Sequence, residues 1–173
     1  MIKQRKYKIA FFDRDGTLNS RKYNNGYIGF IKHFKWIKGA IKAIKYLKNK
    51  QYKIVVVTNQ SGVARGFFKI KDVKYLHAYM QKNLKVKNTK IDGFFFCPYH
   101  ENGIIKRYKK KSLLRKPEIG MFNLAKQKWR IDKKNSFMIG DKFTDIQFAK
   151  RSGIKGFLFK GGRLDLFVKK KIN

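Results

Sequence analysis

The 173-residue chain carries 44 Lys and Arg against 10 Asp and Glu, a formal net charge of +34, and 43% of its residues are hydrophobic. That apolar share excludes wholesale disorder, and the length fits one domain with at most a small insertion. No apolar run approaches the roughly 20 residues that cross a bilayer, the apolar stretch behind the basic N-terminus is too short for a signal peptide, and the single cysteine, Cys97, excludes an intrachain disulfide and a four-cysteine zinc site. The cytoplasm is the expected location.

A surface of this sign attracts phosphates, nucleic acids and anionic membranes. Composition offers a blander source: 35 of the basic residues are Lys and 9 are Arg, while Ala (7) and Pro (2) are scarce, the usage of an AT-rich genome. Against this background the acids stand out. Four of the ten, Asp13, Asp15, Asp141 and Asp145, sit in two short motifs.

In chain order, residues 7–12 read as a buried strand, and 39–49 carry a helical apolar stripe at Ala40, Ile41, Ala43, Ile44 and Leu47. Residues 53–57 form a continuous β-branched strand. A helix follows over 72–84, with Asp72 as its N-cap. Residues 94–97 are a third strand. Pro117 opens a helix running through Trp129. A strand over 137–139, a short helix over 145–151 and a strand over 157–159 follow. The least regular stretches are 19–35 and 98–114; the second holds Lys106, Arg107, Lys109, Lys110 and Lys111. Residues 165–173 are expected to be a basic tail, with Lys169, Lys170 and Lys171 at a frayed, solvated end. Strands alternating with helices predict an α/β fold, a five-stranded parallel sheet with helices on both faces, in a single domain spanning 1–173.

Three polar motifs follow three of these strands: Asp13-Arg-Asp-Gly-Thr-Leu, Thr58-Asn-Gln-Ser-Gly and Gly140-Asp-Lys-Phe-Thr-Asp. In an open parallel sheet they converge beyond the carboxyl ends of the strands, where ligands bind. Asp13 and Asp15, two residues apart at a strand end, direct two carboxylates at one ligand, and a cation is expected between them. Oxygen ligands in this small number point to Mg²⁺, with Asp141 adding another. Gly16 permits a sharp turn and Thr17 is expected to cap it. The hydroxyl of Thr58 and the amide of Asn59 suit a phosphate oxygen, although either Thr58 or Ser61 reads equally as a helix cap.

The ordered set of motifs resembles the haloacid-dehalogenase (HAD) superfamily of phosphotransferases. Asp13 to Asn19, Thr58 to Gly66, Arg115-Lys116-Pro117 through Gly120-Met121, and Gly140-Asp141 through Asp145 match its four motifs in order, covering about residues 7–160. The longer strings, with Gly26-Tyr27, resemble the histidinol-phosphatase and heptose-bisphosphate phosphatase branch.

This resemblance implies a HAD-like fold without a large cap domain. It implies Asp13 as a nucleophile forming an aspartyl-phosphate, and Asp15 as general acid and then base. It implies Mg²⁺ on the Asp13 carboxylate, the Asp15 backbone carbonyl and Asp141. Thr58, Asn59 and Lys116 would hold the phosphoryl oxygens, and Arg115 would reach a second anionic or hydroxyl group. Asn24, Asn25, Gly26, Tyr27, Gln60 and Ser61 would line the sugar side.

The chain departs from the branch at its zinc loop. Cys97 is kept, Tyr99 stands where a His is expected, Ser112 and Leu114 where two cysteines are, and His100 is one residue out of place. Zinc is therefore expected to be absent, with the loop held by Leu113 and Leu114. The implied activity is that of a sugar-phosphate phosphatase acting on a heptose 1,7-bisphosphate in cell-envelope precursor synthesis, as a monomer without membrane contact. The alternatives are a histidinol-phosphate phosphatase, a polynucleotide 3′-phosphatase acting on nucleic acid, and a non-enzymatic basic binding protein.

Overall fold

The computed structural model describes residues 5–22 and 24–172, the side chain of Asn24 excepted. Five parallel strands, β1 (Ile9–Phe12), β2 (Lys53–Asn59), β3 (Gly93–Cys97), β4 (Phe137–Gly140) and β5 (Lys155–Leu158), form one sheet in the order β3-β2-β1-β4-β5. The helices are α1 (Ala40–Asn49), α2 (Ile70–Lys85), α3 (Gly120–Lys128), α4 (Phe143–Ser152) and α5 (Leu164–Ile172). Among the described residues, the segments between them hold short 3₁₀ turns at Asn24–Gly26, Ile31–His33 and Lys106–Tyr108, and isolated β-bridges such as Tyr7 with Ile131 and Asn19 with Trp36.

The sheet is covered on both sides, which is why its strands read as unbroken apolar runs rather than alternating ones. Ala10, Phe12, Ile54 and Val56 pack against α1, α2 and α5, while Ile9, Phe11, Val55 and Val57 pack against α3 and α4. Phe11 anchors the second layer, its ring 5.5 Å from Phe122 and 6.4 Å from Phe148. The strands that the three polar motifs follow are neighbours: β2, β1 and β4 occupy the centre of the sheet, so their carboxyl ends open onto one place.

Several expectations need correction. Helix α2 starts at Ile70, two residues early, and Asp72 lies inside its first turn, where its carboxylate accepts a hydrogen bond from the Lys69 backbone N–H (2.7 Å). Helix α3 begins at Gly120 rather than Pro117. Residues 115–118 instead form a turn, with the Glu118 N–H donating to the Arg115 carbonyl (2.8 Å) and a cis peptide before Pro117. The basic C-terminal stretch is not a frayed tail but helix α5, which buries Leu164 and Val168 against the α1 layer while its lysines face solvent. Leu113 does not pack the 98–114 loop; it is 76% exposed, and only Leu114 joins the α3–α4 layer.

Candidate active site

Asp13 directly follows β1, its N–H donating to the Ile139 carbonyl of β4 (2.9 Å). Its carboxylate is buried and accepts a hydrogen bond from the Lys116 ammonium (2.8 Å), which also pairs with Asp145 (2.6 Å). Lys116 is fixed from behind. The Asn59 side chain donates to the Lys116 carbonyl and accepts from the Lys116 N–H, both at 3.0 Å. The amide of Asn59 is thereby spent on the backbone of Lys116. Burial pushes the Asp13 carboxyl up, but the Lys116 ammonium, with the Arg14 N–H and Lys142, outweighs it and holds Asp13 below the usual carboxylate range. Burial works against the Lys116 ammonium, while Asp13 and Asp145 hold it above its usual value. Both groups stay charged.

Asp13, Asp141 and Asp145 bring carboxylate oxygens within 4.8 Å of one another. Asp141 follows β4; Asp145 lies in the first turn of α4, where its carboxylate also accepts from the Lys142 N–H (3.0 Å). Burial and the charge of Asp13 push the Asp141 carboxyl up, against Arg21, which donates to it at 2.9 Å. Burial likewise pushes Asp145 up, against Lys116. The second oxygen of Asp141 is buried and has no hydrogen-bond partner. An all-oxygen donor set with unrelieved repulsion and an unpartnered buried oxygen fits a hard divalent cation. Gly16 makes this geometry possible: its φ is +97°, and a Cβ there would lie 2.2 Å from an Asp141 oxygen. Thr17, by contrast, caps nothing, since its hydroxyl is buried without a hydrogen-bond partner.

Asp15 is held by four donors. One oxygen accepts from Arg14 Nε and Asn19 Nδ2, both at 2.9 Å; the other accepts from Arg14 Nη2 (2.9 Å) and Gln60 Nε2 (2.8 Å). Arg14 is fully buried, an expensive position for a charge unless every donor is used. It forks onto Asp15 and also donates to the Ile28 carbonyl, Gln60 Oε1 (3.0 Å) and His77 Nε2 (3.3 Å). The His77 ring stacks on Phe94 at 4.4 Å, and burial with the charge of Arg14 holds it well below its usual value. Gln60 bridges Asp15 to the Thr58 hydroxyl (2.9 Å), so it belongs to this buried network.

A cleft of about 300 Å³ joins these groups. Of the residues singled out from sequence, Asp13, Asp15, Thr58, Asn59, Gln60, Ser61, Arg115, Lys116, Asn25, Gly26 and Tyr27 all line it. Asp141 stands beside it through the acidic cluster, and the side chain of Asn24 lies outside the described residues.

The comparisons with known proteins agree with this geometry. The family described as "Polynucleotide kinase 3 phosphatase" matches residues 8–157. The chain is 41% identical over 160 residues to D-glycero-beta-D-manno-heptose-1,7-bisphosphate 7-phosphatase of Rhodopseudomonas palustris, covering 92% of this chain and 87% of that one. It is 36% identical over 162 residues to the alpha-anomer enzyme of Photorhabdus laumondii, covering 93% and 87%. The structure of D,D-heptose 1,7-bisphosphate phosphatase from B. bronchiseptica, complexed with magnesium and phosphate, superposes with a TM-score of 0.78 at 25% identity, covering 94% of this chain and 86% of that one. The chain belongs to the heptose-bisphosphate phosphatase family of HAD-like phosphatases.

As a member of this phosphatase family, the chain contributes site residues that sequence reasoning assigned no role. Asp145 lies within the fourth motif, yet only the fold shows its carboxylate meeting Asp13. Arg14 lies within the first motif, and its buried partners are seen only in the fold. Arg65, Lys142 and Thr144, which lie inside the second and fourth motifs, and Arg21, Phe68 and His100 also line the cleft. No described helix is long and apolar enough to cross a membrane.

Proposed function

We propose that the chain, working as a single domain in the cytoplasm, removes the 7-phosphate of a D-glycero-D-manno-heptose 1,7-bisphosphate. The observation that carries the reaction is the Asp13 carboxylate at the end of β1, held by the Lys116 ammonium beside Asp141 and Asp145. A carboxylate kept ionised in a buried site is a nucleophile in waiting. In the first half-reaction an Asp13 oxygen attacks phosphorus, the bond from phosphorus to the sugar oxygen breaks, and Asp15 gives that oxygen its proton. In the second, Asp15 takes a proton from water, the water oxygen attacks phosphorus, and the Asp13–phosphorus linkage opens to release phosphate.

Lys116 and Thr58 neutralise and orient the phosphoryl oxygens, while Asn59 acts through Lys116 by fixing its backbone. Arg14, Asn19 and Gln60 fix where the Asp15 carboxyl sits. Mg²⁺ would be held by Asp13, Asp141 and Asp145 with the Asp15 backbone carbonyl; when bound it supplies charge neutralisation for the transferring group.

The sugar as substrate rests on the similarity of most of the chain to enzymes named for it, of both anomers. The description of the matched family and the net charge of +34 favour a second reading, a 3′-phosphorylated nucleic acid. Against it, the two tyrosines of the basic 98–114 loop, Tyr99 and Tyr108, each have a cation over one face, Lys110 at 4.5 Å and Arg107 at 4.9 Å, which competes with base stacking there.

Turnover of heptose 1,7-bisphosphate, histidinol phosphate and a 3′-phosphorylated oligonucleotide, with Mg²⁺ at low and moderate salt, separates these. The heptose bisphosphate is expected to give the highest kcat/KM. Asp13→Asn is expected to lose more than about 10⁴-fold on every substrate, the scale for removing a covalent nucleophile. An oligonucleotide preference with a steep salt slope would reject the sugar reading, and an active Asp13→Asn protein would reject the mechanism.

A further inference from the structure

We propose that Arg21 is a positioning residue for Mg²⁺: its guanidinium grips one oxygen of Asp141 and so leaves the other directed at the cation. This rests on the phosphatase reading above and adds a residue that neither motif nor comparison assigns.

The three carboxylates of the acidic cluster are not anchored alike. Lys116 pairs with Asp13 (2.8 Å) and with Asp145 (2.6 Å), and the Lys142 N–H gives Asp145 a further donor at 3.0 Å. Among the described residues, Asp141 takes its hydrogen bond from Arg21 alone, Nη1 meeting Oδ2 at 2.9 Å. The two residues lie 120 positions apart, one on the loop after β1 and the other just past β4. Their bond leaves Oδ1 of Asp141 buried and without a partner. A carboxylate turns freely about its terminal bond, and carboxylates that ligate metals are in turn held by hydrogen bonds. Arg21 supplies that hold here.

The backbone keeps a course open for the Arg21 side chain. Gly16 and Gly26 both have positive φ, +97° and +84°. A Cβ on Gly16 would lie 2.8 Å from Cδ of Arg21, and one on Gly26 would lie 3.3 Å from both its Nε and its Nη2. Two glycines therefore border the route to Asp141, one beside the stem and one beside the guanidinium. The chain next to Arg21 is fixed as well. The Ser20 N–H donates to the Lys35 carbonyl (2.8 Å), and the buried Asn19 amide donates to the Ser20 carbonyl (3.1 Å) and to Asp15 (2.9 Å). One stretch of chain thus carries Asp13, Asp15 and the arginine that reaches across to the motif after β4.

A positive group beside a metal site also repels the cation. The Arg21 side chain is 37% exposed, so water and salt screen that repulsion, whereas the Asp141 side chain is 17% exposed and has its direction set from within the protein. Orientation of the shielded ligand is expected to outweigh repulsion from the wetter arginine.

The test measures Mg²⁺ binding by calorimetry, with no substrate present, in wild type, Arg21→Ala and Arg21→Lys, with a melting curve of each in the absence of metal. Arg21→Ala is expected to bind Mg²⁺ about 10–100-fold more weakly, the scale for losing the group behind a metal ligand, and Arg21→Lys, which keeps one charged donor, to lie between it and wild type. The melting temperature without metal should change little, as for a partly exposed ion pair. Turnover by Arg21→Ala is expected to fall at low Mg²⁺ and to recover when Mg²⁺ is raised about 100-fold, the upper end of that affinity loss. An unchanged Mg²⁺ affinity in Arg21→Ala overturns this inference and leaves the phosphatase reading standing. Tighter binding overturns it as well, making Arg21 a competitor of the cation. A turnover loss that excess Mg²⁺ does not recover overturns it by making Arg21 a contact of the substrate. A wild type that binds no Mg²⁺ overturns the metal site and this inference together.

Discussion

The floor and the rim of the cleft are built on opposite terms. On the floor, most polar side chains are matched within the protein, the second Asp141 oxygen excepted: Lys116 is shared between Asp13 and Asp145, Asn59 is spent on the Lys116 backbone, and Asp15 receives four hydrogen bonds. On the rim, donors are left over, with Arg65 Nε and Arg115 Nη1 shielded and unpartnered. The floor stands at the ends of three adjacent central strands, while the rim is carried by loops tied to one another through single carbonyls such as that of Ala64. A chemistry that needs atoms placed in advance belongs on the strands. Discrimination between substrates belongs where unmet hydrogen-bonding capacity waits for the right ligand.

The floor breaks hardest at Lys116. Lys116→Met removes the one cation shared by two buried carboxylates that already face Asp141. Breaking a buried pair in this way costs about 3–5 kcal/mol, because the partner charges stay behind. The expected outcome in urea unfolding without metal is a loss of that size. Turnover is expected to fall by about 10²–10³-fold, as when one preorganised donor is removed from a transition-state site. The stability loss should shrink when Mg²⁺ is added, since the cation answers the same negative charge. A Lys116→Met protein as stable and as active as wild type would mean that the floor's charge balance lies elsewhere.

The same contrast decides what could be seen without a structure. The alternation of apolar runs and amphipathic segments exposed the sheet and its covered faces, and motifs at three strand ends placed Asp13, Thr58 and Asp141 together. What escaped is what depends on where side chains turn after the strand stops. Asn59 and Gln60 look like ligand-binding amides in sequence. In the fold, one holds the Lys116 backbone and the other joins Asp15 to Thr58, because β2 runs through Asn59 rather than ending at Val57. Arg14 is one arginine in a chain of 44 basic residues, and its burial follows from Ile28, Gln60 and His77, which lie 14, 46 and 63 residues away. Of these two rim residues the sequence assigned a role to Arg115 alone, and that the donors of Arg65 and Arg115 lack partners is visible only in the fold. The 98–114 loop was expected to be held by Leu113 and Leu114; of the two only Leu114 packs, and backbone bonds from Ile104 and Ile105 to the Ala64 carbonyl, which carry no side-chain signature, hold the loop as well.

That backbone staple offers a milder break, aimed at the rim alone. A Cβ on Gly103 would lie 2.7 Å from the Ala64 Cβ and 2.8 Å from its carbonyl oxygen, so Gly103→Ala forces the two loops apart. Overpacking of this kind costs about 1–3 kcal/mol. The strain falls on the carbonyl that holds Ile104 and Ile105 and not on β1, β2 or β4. Turnover of a bisphosphate is expected to fall through KM, with kcat far less affected. A fall in kcat alone would show that the loops and the strand ends are not separable as described.

The smallest expected effect lies behind the floor, at His77. Its ring accepts a hydrogen bond from Arg14 and is held well below its usual value by burial, then by Arg14 itself, so it is neutral in the folded protein. In the unfolded chain it takes a proton near pH 6.5. The unfolded state therefore binds more protons below that pH, and the contribution of His77 to stability, complete above about pH 6.5, declines as the pH falls toward the folded-state value. The slope cannot exceed about 1.4 kcal/mol per pH unit for one group. The raised carboxyls of Asp141 and Asp145 act in the opposite sense, gaining a proton more readily in the fold as the pH falls, so the informative quantity is the difference between wild type and His77→Gln. Gln keeps an acceptor for Arg14 but cannot titrate, and it loses the ring stacked on Phe94. The variant is expected to be less stable at pH 7.5, with the gap to wild type narrowing between pH 6.5 and 5 in urea unfolding. A gap that stays constant over that range would mean that His77 changes its proton in step with the unfolded chain and that the Arg14 network does not depend on its neutrality.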